Sequence, residues 1–315
     1  MLIGGNIMSK FDVQEMKGVI PALMTVFAED ETIDESGMRE LVDHLINKGV
    51  TGLYLTGSTG EGFLMSMEER KKVVEIVIDE AAGRVPIMVH VGTIGTRNSI
   101  KLAEHAYEKG ADAVSSVPPF YWNFDEEHIY NYYKDIAEAT PLPMIVYNIK
   151  LAGTIAYDSI KKLAAIENVK GIKYTATSHF EIASIKDELG EDFLVYSGAD
   201  EMASSGLFNG ADGLIGSFYN LMPELFMDIY EAVNNNDLKT ARIKQQNAVR
   251  IIKYSVQYDF YSLMRLALGW LGVNAGYSRR PFKNYGAKKE EEFKAEFKKL
   301  KDKYKIEGID FLDAI

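Results

Sequence analysis

The chain of 315 residues contains no cysteine and only five histidines. Without cysteine it has no disulfide bond, no thiolate nucleophile and no zinc or iron–sulfur site with cysteine ligands. The histidines, at positions 44, 90, 105, 128 and 179, form neither a close pair nor an HExxH motif, so we expect no catalytic metal. A chain without cysteine is compatible with a reducing cytosol, and we expect a cytoplasmic protein.

Positive charge is also scarce, because 35 lysines and arginines stand against 46 aspartates and glutamates and leave a net charge of −11. Such a chain repels the phosphate backbone of nucleic acids and anionic membrane surfaces. No apolar run approaches the ~20 residues of a membrane-spanning helix, and the first residues lack the basic start of a signal peptide. These absences favour a small-molecule substrate over a nucleic-acid or membrane partner.

Short apolar segments rich in β-branched residues recur along the chain, with amphipathic helical segments between them. The apolar segments span residues 19–27, 52–57, 86–92, 113–119, 143–148, 169–175, 193–199 and 213–217. The helical segments span residues 35–48, 68–82, 98–109, 125–139, 157–166 and 180–189. Nearly continuous apolar strands are typical of a parallel sheet whose two faces are both buried.

This alternation predicts an α/β fold, a (β/α)8 TIM barrel, over residues 18–235. Residues 1–17 are predicted to form an N-terminal arm. Residues 236–315 are predicted to form a C-terminal helical extension, with helices over 238–271 and 288–303. A doubly wound open sheet is the alternative, because strand count alone does not require closure.

Lys173 stands out at the carboxyl end of a predicted strand, where a barrel places its active site. Side chains alternate along a strand, so bulky Ile172 and Tyr174 should face the helices. Lys173 and Gly171 then point into the barrel. Burial lowers the pKa of a lysine and produces the nucleophilic amine that a Schiff base requires. The alternative is a lysine at the rim paired with Asp200; small Gly171, by leaving room for a substrate, favours the nucleophile.

The loop TGSTGEG, residues 56–62, follows the second predicted strand. It lacks the Gly-Lys-Ser/Thr of a Walker loop and the GxGxxG order of a dinucleotide-binding turn. Small residues leave backbone N–H groups free to bind an anion, and beside a Schiff-base lysine the expected anion is the carboxylate of a 2-oxo acid. Tyr147 ends the fifth strand and is either a core residue or a proton carrier that passes its proton to Ser58. Residues 120–122, all aromatic, are expected at the mouth or in a subunit contact.

In these segments the chain resembles the pyruvate-dependent Schiff-base aldolases, the family that includes dihydrodipicolinate synthase and N-acetylneuraminate lyase. The resemblance runs from about residue 18 to residue 219. It rests on Gly57-Ser-Thr-Gly-Glu61, Pro119-Phe-Tyr121, Tyr147-Asn-Ile149, Gly171-Ile-Lys173 and Gly210-Ala-Asp-Gly213. It implies a TIM barrel that works without a cofactor and assembles as a homotetramer.

The resemblance also implies roles for individual residues. Lys173 would form the imine with pyruvate. Tyr147 would carry the proton, helped by Ser58 and by Tyr121 of the partner subunit. Ser58 and Thr59 would hold the pyruvate carboxylate, so that the loop serves as a carboxylate clamp.

Two features are similar to the lyase branch of the family: Ser-Thr after Gly57, and Gly-Ala-Asp-Glu after the seventh strand. The residues that would bind a polyhydroxylated sugar tail are Thr175, Gly198, Asp200, Glu201 and Ser217. The synthase branch carries an arginine shortly after Tyr147-Asn148, which is missing here, and Lys150 replaces the usual proline. The lyase branch implies reversible cleavage of N-acetylneuraminate (sialic acid) to N-acetylmannosamine and pyruvate, a step of sialic acid degradation.

Alternatives stay open within and outside the family. Within it, the substrate is another 2-oxo-3-deoxy sugar acid, or the chain is a 4-hydroxy-tetrahydrodipicolinate synthase. Outside it, the chain is a non-catalytic barrel that binds a sugar acid as a sensor. The set of Lys173, Tyr147 and Ser58 speaks against the sensor, because a binding role needs no inward nucleophile.

Overall fold

The structure, a computed structural model, describes residues 10–315 and has parallel strands at its centre. The strands are β1 (Gly18–Pro21), β2 (Leu53–Leu55), β3 (Ile87–His90), β4 (Ala113–Ser116), β5 (Met144–Ile149), β6 (Val169–Thr175), β7 (Leu194–Ser197) and β8 (Gly213–Gly216). Each overlaps its predicted segment. Part of the predicted N-terminal arm, residues 1–9, lies outside the described residues.

The sheet closes on itself. Neighbouring strands pair in the order β1-β8-β7-β6-β5-β4-β3-β2, with Gly18 opposite Gly213 where β1 meets β8. The two ends of that order, β1 and β2, are joined where the Leu23 N–H donates to the Tyr54 carbonyl at 2.8 Å. No open edge remains, which is the condition for a barrel. The predicted (β/α)8 barrel is confirmed, and the open-sheet alternative is wrong.

Helices surround the barrel and continue beyond it. They are α1 (Glu35–Asn47), α2 (Met67–Ala81), α3 (Thr96–Lys109), α4 (Glu126–Ala139), α5 (Tyr157–Ala164), α6 (Phe180–Leu189), α7 (Ala203–Phe208), α8 (Pro223–Asn234), α9 (Leu238–Ser255), α10 (Phe260–Trp270), α11 (Ala287–Tyr304) and α12 (Asp310–Asp313). In the described part of the chain no helix is long and apolar enough to cross a membrane. The first six helices agree with their predicted spans within two residues at each end.

Three helices, α7, α8 and α12, were not predicted, and one predicted helical span is divided into two helices. α7, with the sequence ASSGLF, is too short and too rich in serine and glycine to give a helical signal. The predicted span 238–271 is two helices, because the chain turns between Ser255 and Phe260. The Asp259 N–H in this turn donates to the Tyr285 hydroxyl at 2.8 Å, which fixes the start of α10.

Two hydrophobic clusters follow from the alternation along the strands. One lies between the sheet and the helices and includes Ile172 and Tyr174 of β6. The other fills the barrel itself and includes Ile145, Leu194 and Tyr196. The barrel is therefore packed below its mouth, and functional side chains are confined to the carboxyl ends of the strands.

The segment before β1 closes the opposite end of the barrel. Met16 is almost fully buried and belongs to the interior cluster. The Tyr196 hydroxyl donates to the Met16 carbonyl at 2.7 Å from inside the barrel. This buried hydrogen bond ties the N-terminal segment to β7.

We predict that Tyr196→Phe lowers the free energy of unfolding by about 1–3 kcal/mol, because the buried Met16 carbonyl loses its donor. Urea unfolding measures this change. Tyr277→Phe is the control, since Tyr277 is exposed and its replacement should leave the unfolding midpoint unchanged. Equal unfolding midpoints for Tyr196→Phe and the unaltered chain would contradict a stabilising hydrogen bond between Tyr196 and the N-terminal segment.

Candidate active site

Lys173 lies on β6 and faces the interior of the barrel, as the alternation predicts. Its register partner on β5 is Tyr147, and Lys173 Nζ lies 4.1 Å from the centre of the Tyr147 ring. The centre of the Tyr54 ring is 4.5 Å from the same nitrogen. Lys173 is only 4% exposed, so the amine is enclosed between two aromatic rings.

The environment of Lys173 favours a neutral amine. Burial lowers the pKa of Lys173 to about 7, because the interior solvates an ammonium poorly. Asp200 opposes this change electrostatically, yet no ion pair joins the two side chains in residues 10–315. The alternative of a rim lysine paired with Asp200 is therefore not what the structure contains.

Asp200 is the second buried titratable group of the site. Burial is the main cause that raises the pKa of its carboxyl to about 7, and the charge of nearby Glu201 is a smaller cause of the same rise. The Phe218 N–H donates to Asp200 Oδ2 at 2.8 Å and opposes the rise. A hydrogen bond from a ligand hydroxyl to a poorly solvated carboxyl of this kind is stronger than one to an exposed carboxyl.

Gly171 has a different role from the expected one. A Cβ at this position would lie 2.5 Å from the Leu194 carbonyl oxygen and 3.1 Å from Ile145 Cδ1. The missing side chain therefore lets β6 pack against its neighbouring strands. The expectation that Gly171 leaves room for a substrate is wrong.

Tyr147 is buried beside the amine. Burial raises the pKa of its phenol to about 12, so the phenol is protonated near neutral pH. The hydroxyls of Thr175 and Ser58 lie near enough to lower this pKa, and Asp200 raises it. The ring of Tyr147 therefore contacts the amine of Lys173. Its hydroxyl lies near the hydroxyl of Thr175 on β6 and that of Ser58 in the loop after β2.

The loop after β2, residues 56–62, has the geometry of an anion cradle. The backbone N–H groups of Ser58, Thr59 and Gly60 have no acceptor among residues 10–315. The Thr59 hydroxyl is 2.7 Å from that of Ser217, so the predicted clamp reaches β8. Successive free N–H groups of this kind bind carboxylates and phosphates.

Close backbone contacts explain the glycines of this loop. A Cβ at Gly60 would lie 2.8 Å from the Leu23 carbonyl oxygen, and one at Gly62 would overlap the Thr56 carbonyl. Glu61 has φ +55°, an uncommon value for a residue with a side chain. The loop is therefore held in a conformation that neighbouring segments must enforce.

Two side chains of α10, those of Tyr261 and Arg265, complete the site, and neither was predicted from the sequence. Arg265 NH2 lies 2.6 Å from Glu61 Oε1 in an ion pair whose side chains are 2% and 0% exposed. Tyr261 is near Thr59 and Tyr147, and burial raises its pKa. A charged residue inside the apolar helix FYSLMRLALGW was the available signal for Arg265, because arginine is seldom buried without a partner.

The residues predicted to bind the sugar tail gather at the ends of β6, β7 and β8. A Cβ at Gly198 would overlap Thr175 Oγ1, and one at Gly216 would overlap Asp200 Oδ1. Thr175 Oγ1 is buried near the Tyr147 hydroxyl, but it makes no hydrogen bond of ordinary geometry in the described residues, so a ligand hydroxyl could complete it. Glu201 is exposed beside Asp200.

Tyr121 is the predicted catalytic residue that the structure does not bring to the site within its own chain. Its side chain is 81% exposed and its φ is +85°. The Trp122 ring packs edge-on against it, with centroids 4.8 Å apart. Strained backbone of this kind is concentrated at functional positions, and the exposed ring is accessible to a second molecule.

A cavity of about 320 Å³ lies at the mouth of the barrel. Ser58, Glu61 and Tyr261 give it polar edges, while Phe120 and Phe282 are among its apolar walls. Among residues 10–315 no three histidine, aspartate or glutamate side chains are grouped so that they could hold a metal ion.

A sequence profile of the dihydrodipicolinate synthetase family matches residues 15–300. The chain belongs to this family. N-acetylneuraminate lyase 2 of Escherichia coli O6:H1 is 40% identical over 272 residues, which are 85% of this chain and 89% of that protein.

Solved structures of the dihydrodipicolinate synthetase family share the whole fold. The N-acetylneuraminate lyase of Mycoplasma synoviae superposes with a TM-score of 0.85 at 32% identity, covering 93% of this chain and 99% of that one. A dihydrodipicolinate synthase of Bacillus anthracis gives 0.84 at 28% identity, covering 89% and 97%. Because both superpose equally well, shape does not distinguish the two activities.

We predict that Lys173 titrates near pH 7 rather than near the ordinary lysine value of 10.5. Its amine would be charged below this pH and neutral above it, because burial penalises the ammonium. NMR of the chain labelled with carbon-13 lysine measures the titration, and Lys173→Met identifies the resonance. Lys170 on the same strand is exposed and is the internal control. A midpoint for Lys173 near 10.5 would contradict the inferred environment.

We predict that Arg265→Met lowers the free energy of unfolding by about 3–5 kcal/mol, because buried Glu61 loses its ion-pair partner and, in the described residues, keeps only the hydrogen bond from the Arg279 N–H. Replacing both residues by methionine should restore much of that loss, since a well-packed apolar pair tolerates burial. Urea unfolding of the single and double variants measures the coupling. Additive losses in the double variant would show that the two side chains act independently.

Proposed function

We propose that this protein reversibly cleaves N-acetylneuraminate to N-acetylmannosamine and pyruvate through an imine on Lys173. The observation that carries the proposal is the buried amine with a pKa of about 7, enclosed by aromatic rings beside the anion cradle. A Schiff base requires such a neutral amine. The name of the 40% identical Escherichia coli relative supports the choice of substrate.

The reaction starts with attack of the Lys173 amine on the C2 ketone of the open-chain substrate and loss of water. Tyr147 gives its proton to the hydroxyl that leaves as water, and the resulting phenolate acts as general base and accepts the proton of the C4 hydroxyl as the C3–C4 bond breaks. The electrons of that bond enter the imine and give an enamine, and the sugar leaves as an aldehyde. Protonation at C3 and addition of water then release pyruvate and restore the amine.

Because the pKa of Tyr147 is about 12, its phenol is protonated at rest and exchanges a proton with hydroxyl groups only during the reaction. Ser58 lies near enough to pass the proton on. Tyr121 of the partner subunit would extend this relay, which accounts for an exposed ring on strained backbone. The proposal therefore includes a homotetramer in which subunits complete one another's sites.

The substrate would lie with its carboxylate on the loop after β2 and its hydroxyls toward β6, β7 and β8. The free N–H groups of residues 58–60 and the hydroxyls of Ser58 and Thr59 would hold the carboxylate. The residues proposed for the sugar tail are Thr175, Gly198, Asp200, Glu201 and Ser217. Acidic side chains accept from hydroxyls and repel an anionic partner, so they favour a neutral aldehyde over a charged one.

We predict that Lys173→Ala abolishes pyruvate release from N-acetylneuraminate in a lactate-dehydrogenase-coupled assay, and that Tyr147→Phe lowers kcat by roughly 10²–10⁴-fold. Lys170→Ala, the exposed lysine of the same strand, is the matched control and should be unaffected. Full activity of Lys173→Ala would refute the mechanism. Far better cleavage of 2-keto-3-deoxygluconate by the unaltered chain would reassign the substrate, and tight binding without turnover would favour a sensor.

A further inference from the structure

In the described residues, the side chain of Gln245 hydrogen-bonds the C-terminal extension to the turn that carries Asp200 and Glu201, residues 200–202. Gln245 of α9 donates from Nε2 to the Asp200 carbonyl at 3.1 Å. Its Oε1 accepts from the Ser204 N–H at 2.7 Å. A single amide therefore contacts both the turn and the helix that follows it.

The local sequence explains why an outside side chain is needed. α7 begins after Met202, and no side chain of its own segment caps its first turn. The first N–H groups of a helix have no partner within the helix and require an acceptor. Gln245 supplies that acceptor for Ser204, and its other end simultaneously satisfies the turn. A primary amide is the side-chain group that can donate and accept at such neighbouring positions.

Other contacts hold the same segment without making Gln245 redundant. His179 Nδ1 lies 3.0 Å from Ser205 Oγ, which joins α7 to the loop after β6. The Asp200 carboxylate accepts from the Phe218 N–H, which joins it to the loop after β8. Gln245 alone among these contacts joins the Asp200 backbone to the C-terminal extension.

We propose that Gln245 is a positioning residue for substrate specificity: it sets the place of Asp200 and Glu201, and so the affinity for the hydroxylated part of the substrate. The inference rests on the proposed function. Its hydrogen bonds in the described residues go to Asp200 and Ser204, and none goes to Lys173 or Tyr147. Loss of Gln245 should therefore affect binding of the sugar portion and leave imine formation with pyruvate intact.

The test compares Gln245→Met, which removes both hydrogen bonds, with Gln246→Met, an exposed glutamine next to it on the same helix. Gln245→Met should raise KM for N-acetylneuraminate by about fivefold to tenfold, the effect expected if the displaced turn loses one hydrogen bond to the substrate. The rate of borohydride trapping with pyruvate alone should stay unchanged. Gln246→Met should match the unaltered chain in both measurements.

Gln245→Glu is the second variant, because it keeps the acceptor for Ser204 and removes the donor to Asp200. It should fold normally and also raise KM for the sugar acid. Unchanged KM in both Gln245 variants, or an equal loss of pyruvate trapping, would overturn the inference while leaving the proposed function in place. An unaltered chain that does not cleave N-acetylneuraminate would overturn the proposed function and the inference with it.

Discussion

A lysine amine buried without an ion-pair partner in the described residues is the constraint on which the rest of this structure depends. An ammonium in such a place is poorly solvated, so the pKa of Lys173 falls to about 7. The barrel makes the burial possible, because β6 is covered on both sides and its alternate residues must face the interior. The aromatic rings of Tyr54 and Tyr147 then occupy the space around the amine.

Segments far apart in the chain keep the surroundings of the amine in place. Glu61, at the end of the loop after β2, is paired with Arg265 of α10. Asp200, in the turn after β7, is attached through its backbone to Gln245 of α9. The C-terminal extension therefore contacts both of the segments proposed to bind the two ends of the substrate, which assigns it more than a covering role.

The fold and the inward direction of Lys173 could be predicted from the sequence because both depend on local patterns. Apolar segments gave all eight strands, and the alternation around Lys173 gave its direction. Contacts between distant segments could not be predicted in this way. Arg265 and Gln245 lie outside every recognisable motif, and the packing role of Gly171 depends on how closely β6 approaches Leu194. The catalytic and binding roles assigned to Lys173, Tyr147, Ser58, Thr59, Tyr121 and the sugar-binding residues stay predictions.

Trapping of the imine tests the central claim most directly. The chain is incubated with pyruvate, reduced with borohydride, digested and analysed by mass spectrometry. The account predicts one reduced pyruvyl adduct, on the peptide that contains Lys173. An unmodified chain, or an adduct on another lysine, would contradict it.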